Sequence, residues 1–203
     1  MAEIFYNIPG IKIFDYGMIV KDIIGAKDKL AIAAGWFTKN DYAIAFRKSF
    51  AKEKIVFFNE PDLEKGLNGK SKHASVQEMI LRYKKAPGSR FKIYAFKNNV
   101  KDPSDPEKII FKRLHMKTIV IDNKIAWVNT GNPTLGSELC ADMYIRFTDV
   151  KEVNKIWDII YEMEESEYLI SSELYIKREE QNPKSIYMKD FNEKYSKPYG
   201  GSV

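Results

Sequence analysis

Histidine and cysteine are scarce in this chain: there are two histidines and a single cysteine, Cys140, among 203 residues. One cysteine cannot form an intramolecular disulfide, and no cysteine-based zinc site can be built around it. The clustered acidic spacing of a two-metal nuclease is also missing, so neither a metal nor a cofactor is expected. Long apolar runs are absent as well; none approaches the roughly 20 residues that a membrane helix needs. The opening MAEIFYNIPG has no basic stretch followed by an apolar one and does not read as a signal peptide. Together these absences point to a soluble, cytoplasmic protein without stable membrane insertion.

What is present is globular. An apolar fraction of 44%, with 12 Phe, 12 Tyr and 3 Trp, is enough for a sizeable core and excludes a disordered chain. The length suits one domain, or one domain plus a tail. The formal net charge of +5 and pI of about 9.0 suit a polyanionic partner such as nucleic acid or anionic lipid. The same charge is equally that of an ordinary solvated, lysine-rich surface. FKRLHMK and GKSK are basic stretches open to both readings.

Helical and strand-like segments alternate along the chain. GMIVKDIIGAK (17–27) has helical spacing, and KLAIAAGWF (29–37) reads as a buried strand. Thr38 and Asp41 resemble a capping box that opens a helix over DYAIAFRKSFAK. KIVFFN (54–59) is a strand, 60–72 a polar loop, ASVQEMILRYKK a helix, RFKIYAF a strand and KNNVKDPSDPEK a loop. A hairpin follows over 113–134. DMYIRFTD is a further strand, and VKEVNKIWDIIYEMEESEYLI a long amphipathic helix. This order predicts an α/β fold, an α-β-α sandwich around a mixed central sheet, covering residues 1–170. Residues 171–203 form a polar, tyrosine-dotted tail. Whether that tail is a docking segment or the start of a further domain stays open.

The hairpin RLHMKTIVIDNKIAWVNTGNPT carries polar residues that a buried hairpin has no structural use for. His115 and Lys117 share a strand face. With Asn123-Lys124 as a two-residue turn, Thr130 lies opposite Lys117 and Asn132 opposite His115, about 5 Å apart in each pair. Ile119, Ile121, Ala126 and Val128 then line one face, and Met116, Val120, Ile125 and Trp127 the other. An imidazole, an ammonium, a hydroxyl and a carboxamide suit a phosphodiester. The imidazole can attack phosphorus, the lysine neutralises non-bridging oxygens, and Thr130 and Asn132 donate hydrogen bonds. Asn132 before Pro133 also suits the N-cap of a short helix, PTLGSEL. Read as core alone, His115 would be a hydrogen-bonded interior histidine; Lys117 would be costly in an apolar strand without an anion. His73, among lysines in GKSKHAS, reads as a surface residue.

These residues resemble the HxK(x)4D(x)6GSxN signature of the phospholipase D superfamily, the HKD enzymes. His115, Lys117 and Asp122 match at the family spacing, and Asn129, Thr130, Gly131 and Asn132 align with G-S-x-N. Thr130 keeps the serine hydroxyl; Asn129 departs from the glycine. The motif covers 18 residues, and the element order from 17 to 170 agrees with that family's sandwich. The resemblance implies a nuclease-like, single-motif phosphodiesterase that works through a phosphohistidine on His115. It also implies an acidic residue that orients the histidine, for which Asp142 is the candidate and Glu138 its competitor. Asp122, seven residues from His115 and some 20 Å along a strand, reads as a turn residue.

Such a mechanism uses two histidines on opposite sides of one phosphate. One motif supplies one, so a homodimer with a shared active site is expected, acting on nucleic acid, with DNA ahead of RNA. A phospholipid or cardiolipin phosphodiesterase is the first rival. A non-catalytic nucleic-acid-binding module, motivated by Asn129, is the second, and a nuclease domain of a larger restriction- or helicase-linked protein the third. The assignment predicts that His115→Ala abolishes turnover of bis(p-nitrophenyl) phosphate while His73→Ala leaves it intact. The reverse outcome would put the site elsewhere.

Overall fold

The computed structural model describes residues 1–35, 40–59, 90–96, 99–102, 104–111, 114–133, 139–166 and 169–171. The expected helix at 74–85, loop at 60–72, capping residue Thr38, short helix after Pro133 and tail beyond Ser171 lie outside them, in whole or in large part.

The elements are β1 (Ala2–Asn7), α1 (Gly17–Ile24), β2 (Lys29–Ala34), α2 (Asn40–Lys48), β3 (Glu53–Asn59), β4 (Arg90–Phe96), β5 (Asn99–Asp102), β6 (Asp105–Phe111), β7 (Lys117–Ile121), β8 (Ile125–Asn129), β9 (Asp142–Phe147), α3 (Val150–Glu164) and β10 (Leu169–Ser171). Eight strands form one mixed sheet in the order β1-β9-β8-β7-β2-β3-β4-β10. β2, β3 and β4 run parallel, and the other pairings are antiparallel. α1 and α2 pack on one face around Ile19, Ile23, Tyr42 and Phe46, together with Leu30, Ile32 and Trp127. α3 covers the other face, where Val153, Trp157 and Ile160 meet Ala31, Ala33, Val120 and Ala126. β2 is therefore buried on both sides, which is why KLAIAA is continuously apolar instead of alternating. This is the α-β-α sandwich expected from the sequence.

Several expected boundaries shift. β1 is a strand at the sheet edge that the pattern reading did not find; its residues are mostly exposed, so its apolar signal is weak. The Pro- and Asp-rich stretch expected as a loop forms a two-stranded ladder, β5 with β6, with an irregularity at Lys101/Asp102. Asp102, Ser104 and Asp105 stand towards the hairpin tip. The long helix stops at Glu164 rather than running to 170. Its start is well capped, because the Asp149 side chain accepts from the Lys151 and Glu152 backbone N–H groups. Its last turn holds no basic residue, and Glu162, Glu164 and Glu165 gather at the negative end of the helix dipole. The apolar residues that follow pair with β4 instead.

The hairpin register also differs from expectation. Thr118 pairs with Val128, Ile119 with Trp127 and Ile121 with Ile125, so the turn has three residues, 122–124. Ile119, Ile121 and Trp127 share the α1/α2 face, and Val120 and Ala126 the α3 face. The cause is Asp122. Its backbone N–H donates to the Lys29 carbonyl at 2.7 Å, which draws it out of the β7–β8 ladder. Its Oδ1 accepts from the Asp28 and Lys29 N–H groups at 2.8 and 3.0 Å, and both oxygens accept from Lys27 N at 3.3 Å. Its carbonyl accepts from the Trp157 indole of α3. Asp122 adopts φ 49°, a left-handed conformation that aspartate tolerates better than most residues. It is the turn residue that its distance from His115 implied.

Removing this carboxylate leaves three backbone donors without their acceptor. Asp122→Ala is predicted to cost about 3 kcal/mol, or roughly 10 °C in Tm. Asp122→Asn, which keeps Oδ1 and the tolerance for positive φ, should lose less. Urea unfolding of the two variants measures the difference; equal losses would contradict it.

Candidate active site at the carboxyl ends of the strands

The chain leaves β2 towards β3 on one side, while β7, β8 and β9 lie on the other. The gap between β2 and β7 is thus a topological switch point, and ligand crevices in open α/β sheets form at such points outside the strand carboxyl ends. At this end of the sheet stand the ends of β1, β2, β3 and β8 and the starts of β7 and β9. They carry Asn7, Gly35, Asn59, Asn129–Asn132, His115–Lys117 and Asp142.

His115 lies just before β7 and is exposed. Among the described residues no hydrogen bond reaches its ring. Lys117 opens β7 opposite Ala34 of β2 and is 6% exposed. Its Nζ donates to the His115 carbonyl at 2.7 Å, which among the described residues leaves two ammonium protons to give. Burial lowers the Lys117 pKa from its ordinary value, and the Asp142 carboxylate opposes that shift. A buried cation with one neutral acceptor is a receptive place for an anion.

The observed register places Asn129, not Thr130, beside Lys117 when the β7–β8 pairing is continued by one step. Asn129 is thus both the departure from the family signature and the lysine's cross-strand neighbour. Thr130 turns towards β9. Its hydroxyl donates to Asp142 Oδ1 at 2.9 Å and accepts from the Met143 N–H at 2.8 Å. Asp142 Oδ2 and Asn129 Oδ1 are buried with no hydrogen-bond partner among the described residues. Two unsatisfied acceptors at one end of a sheet are unusual and call for a donor from outside this set. Gly131 makes the Asp142 position possible: a Cβ there would sit 2.3 Å from Oδ2. Asn132 is half-buried beyond Gly131, with Pro133 buried after it. Its expected N-cap role, and the competing Glu138, fall on or depend on residues outside those described, as does His73.

The structure therefore brings Thr130 and Asp142 into hydrogen-bond contact and sets Lys117 within electrostatic reach of Asp142. It records no side-chain contact between His115 and Asn132. Two polar residues of this end were missed from the sequence. Asn7 bridges the Cys140 carbonyl, at 2.8 Å, and the Phe14 N–H, at 3.1 Å. Asn59 holds the backbone of Leu114. Each is an asparagine that ends a strand, a usable signal once the strand is known. Tyr144, 2% exposed and stacked on Phe14 at 4.3 Å, walls the α1/α2 side, and burial pushes its phenol pKa well up.

No protein-family model and no curated protein sequence matches the chain. Solved structures do. NucT from Helicobacter pylori is similar over 82% of this chain and 98% of its own, with a TM-score of 0.57 and 13% identity. Nuc from Salmonella typhimurium, described as a phospholipase D family member, is similar over 78% of this chain and 90% of its own, at TM-score 0.55 and 15% identity. A phosphatidylserine synthase from Haemophilus influenzae is similar over 96% of this chain and 46% of its own, at TM-score 0.56 and 11% identity. The chain thus has the phospholipase D-like fold.

The lowered Lys117 pKa has a consequence for stability. Between its folded-state value and the ordinary 10.5, the unfolded chain holds a proton that the folded chain lacks. Stability contributed by this site therefore rises with pH through that window, by at most about 1.4 kcal/mol per pH unit. Lys117→Met should show a flatter dependence of unfolding free energy on pH just below pH 10.5. An unchanged slope in urea titrations would contradict the burial argument.

Proposed function

We propose that this protein is a metal-independent phosphodiesterase of the phospholipase D superfamily, acting as an endonuclease on nucleic acid, DNA ahead of RNA. The observation that carries the reading is an exposed His115 two residues from a buried Lys117, whose one hydrogen-bond acceptor among the described residues is a backbone carbonyl, at the switch point of a phospholipase D-like fold.

An imidazole nitrogen of His115 attacks phosphorus, and the bond to the leaving oxygen breaks as a second group protonates it. Water then attacks the phosphohistidine, with that second group now taking the proton. Lys117 neutralises the non-bridging oxygens. Asn132 supplies a hydrogen bond to the developing charge, joined by Thr130 when its hydroxyl turns from Asp142 Oδ1 to the substrate. Asp142 is the acid that orients and charges the histidine. Its unsatisfied Oδ2 supports that role, since it has capacity for one more donor.

The second group is His115 of a second copy, placed across a two-fold axis. An apolar surface beside the site supports this. Ile4, Tyr6 and Met143 are 65%, 44% and 41% exposed on β1 and β9, and the register places them on one face of the sheet, past the cover of α3. Exposed apolar groups gathered on one face mark association surfaces more often than isolated ones do. The net charge of +5 supports a polyanionic substrate. The fold does not choose between nucleic acid and lipid, since a protein named a phosphatidylserine synthase shares it. No helix among the described residues is long and apolar enough to cross a membrane.

The test is an assay in EDTA against labelled DNA, RNA and phospholipid vesicles in parallel, with wild-type homodimer and with a wild-type/His115→Ala heterodimer. Expected is chelator-resistant cleavage of nucleic acid by the homodimer and little activity from the heterodimer. Strict dependence on added magnesium or zinc, cleavage of lipid alone, or a heterodimer with half the wild-type rate would each overturn the corresponding part of the proposal.

A further inference from the structure

We propose that Asn59 is a positioning residue for the reacting histidine: its carboxamide clamps the backbone just before His115 and so sets where the imidazole stands. This rests on the phosphodiesterase reading of the site.

Asn59 ends β3, is 5% exposed and faces the point where the chain enters the site. Its Oδ1 accepts from Leu114 N at 2.7 Å, and its Nδ2 donates to the Leu114 carbonyl at 3.2 Å. One side chain thus supplies the acceptor and donor that a neighbouring strand would. It is needed because the β2–β7 ladder begins only at Lys117, opposite Ala34. At Leu114 the chain has left that ladder, and its buried backbone groups require other partners. Gly35, one residue beyond β2, completes the clamp: a Cβ there would lie 2.3 Å from the Leu114 carbonyl oxygen and 2.8 Å from Asn59 Nδ2. Asn59's own N–H donates to the Gly35 carbonyl at 3.3 Å, tying the ends of β2 and β3 together. The Leu114 side chain is anchored in the core under α3.

The segment is therefore fixed at Leu114 by Asn59 and at Lys117 by β2, with Lys117 Nζ holding the His115 carbonyl between them. Two residues separate the anchors, so little backbone freedom remains at His115, while its ring is left in the open. A ladder continued through Leu114 would satisfy the same backbone groups without a buried amide. The departure from it, closed by Asn59, gives the imidazole a fixed position outside the sheet. Misplacing a reacting group by about 1 Å can cost roughly 100-fold in rate.

Three variants open the clamp independently. Asn59→Leu removes both hydrogen bonds at similar volume, Asn59→Asp keeps the acceptor and loses the donor, and Gly35→Ala wedges a methyl against the Leu114 carbonyl and Asn59 Nδ2. Ser49→Ala, which deletes a buried hydroxyl that donates to Phe46 O at 2.9 Å, is the stability control. The readings are kcat and KM on bis(p-nitrophenyl) phosphate, Tm, and the NMR signals of the His115 ring, identified by their loss in His115→Ala; the chain has two histidines. Expected in each folded clamp variant is a kcat lowered about 100-fold with KM within about threefold. The His115 ring signals should move or broaden while the remaining spectrum holds, and Ser49→Ala should lower Tm without touching kcat. A folded clamp variant with wild-type kcat and unmoved ring signals overturns the proposal. If the wild type has no turnover, the phosphodiesterase reading fails by itself. The ring signals then still judge the clamp, which stands if they change and falls if they do not.

Discussion

Asp122 fastens the start of β2, the β7–β8 turn and α3 together at one point. Its carboxylate gathers the N–H groups that precede β2, its own N–H joins the β2 edge, and its carbonyl takes the indole of Trp157 from α3. A β-hairpin can slip by one residue, and a slip turns every side chain to the other face. By leaving the ladder at residue 122, Asp122 settles the register of β7 against β8, and with it which residue of β8 stands beside Lys117. Lys117 then lies on the Asp142 side of the sheet, with Asn129 as its neighbour. An acidic residue at the far end of the hairpin in this way decides what stands beside Lys117.

The sheet is closed to solvent on both faces along its centre, so reacting groups can meet substrate only at the strand ends. Burial in an apolar sheet costs a lysine part of its affinity for the proton, and that cost falls if an anion arrives. The same end holds two glycines where a β-carbon would crowd its neighbours: Gly35 under the Leu114 carbonyl and Gly131 against Asp142. Each lets a polar group come closer than a β-carbon would permit. Backbone carbonyl, carboxylate and ammonium are thereby packed into a space that a layer of side chains would otherwise fill.

Much of this was legible in the chain. Alternating apolar runs gave β2, β3, β4 and β9 and the helices α1 and α3 near their observed places, and from them the sandwich. The spacing of His115, Lys117, Asp122 and Thr130 pointed to the end of the β7–β8 hairpin where Lys117 is buried and Thr130 meets Asp142. What escaped did so for identifiable reasons. β1 is an exposed edge strand, and β5–β6 carries turn residues at its tip, so neither shows clean periodicity. The register failed because a two-residue turn was assumed where Asp122 answers to Lys27–Lys29, more than 90 residues earlier in the chain. Asn59 and Asn7 were missed for the same reason: what makes an asparagine matter is a backbone group that the fold, not the local sequence, brings to it.

The central claim is that His115 becomes covalently bonded to phosphorus. Rapid quench in alkaline denaturant during turnover of bis(p-nitrophenyl) phosphate in EDTA, followed by peptide mass spectrometry without an acid step, tests it most directly. The account predicts a nitrophenyl-phosphoryl adduct on the peptide that carries His115, absent from His115→Ala. Steady turnover with no adduct on His115, or with the adduct on another residue, would contradict it.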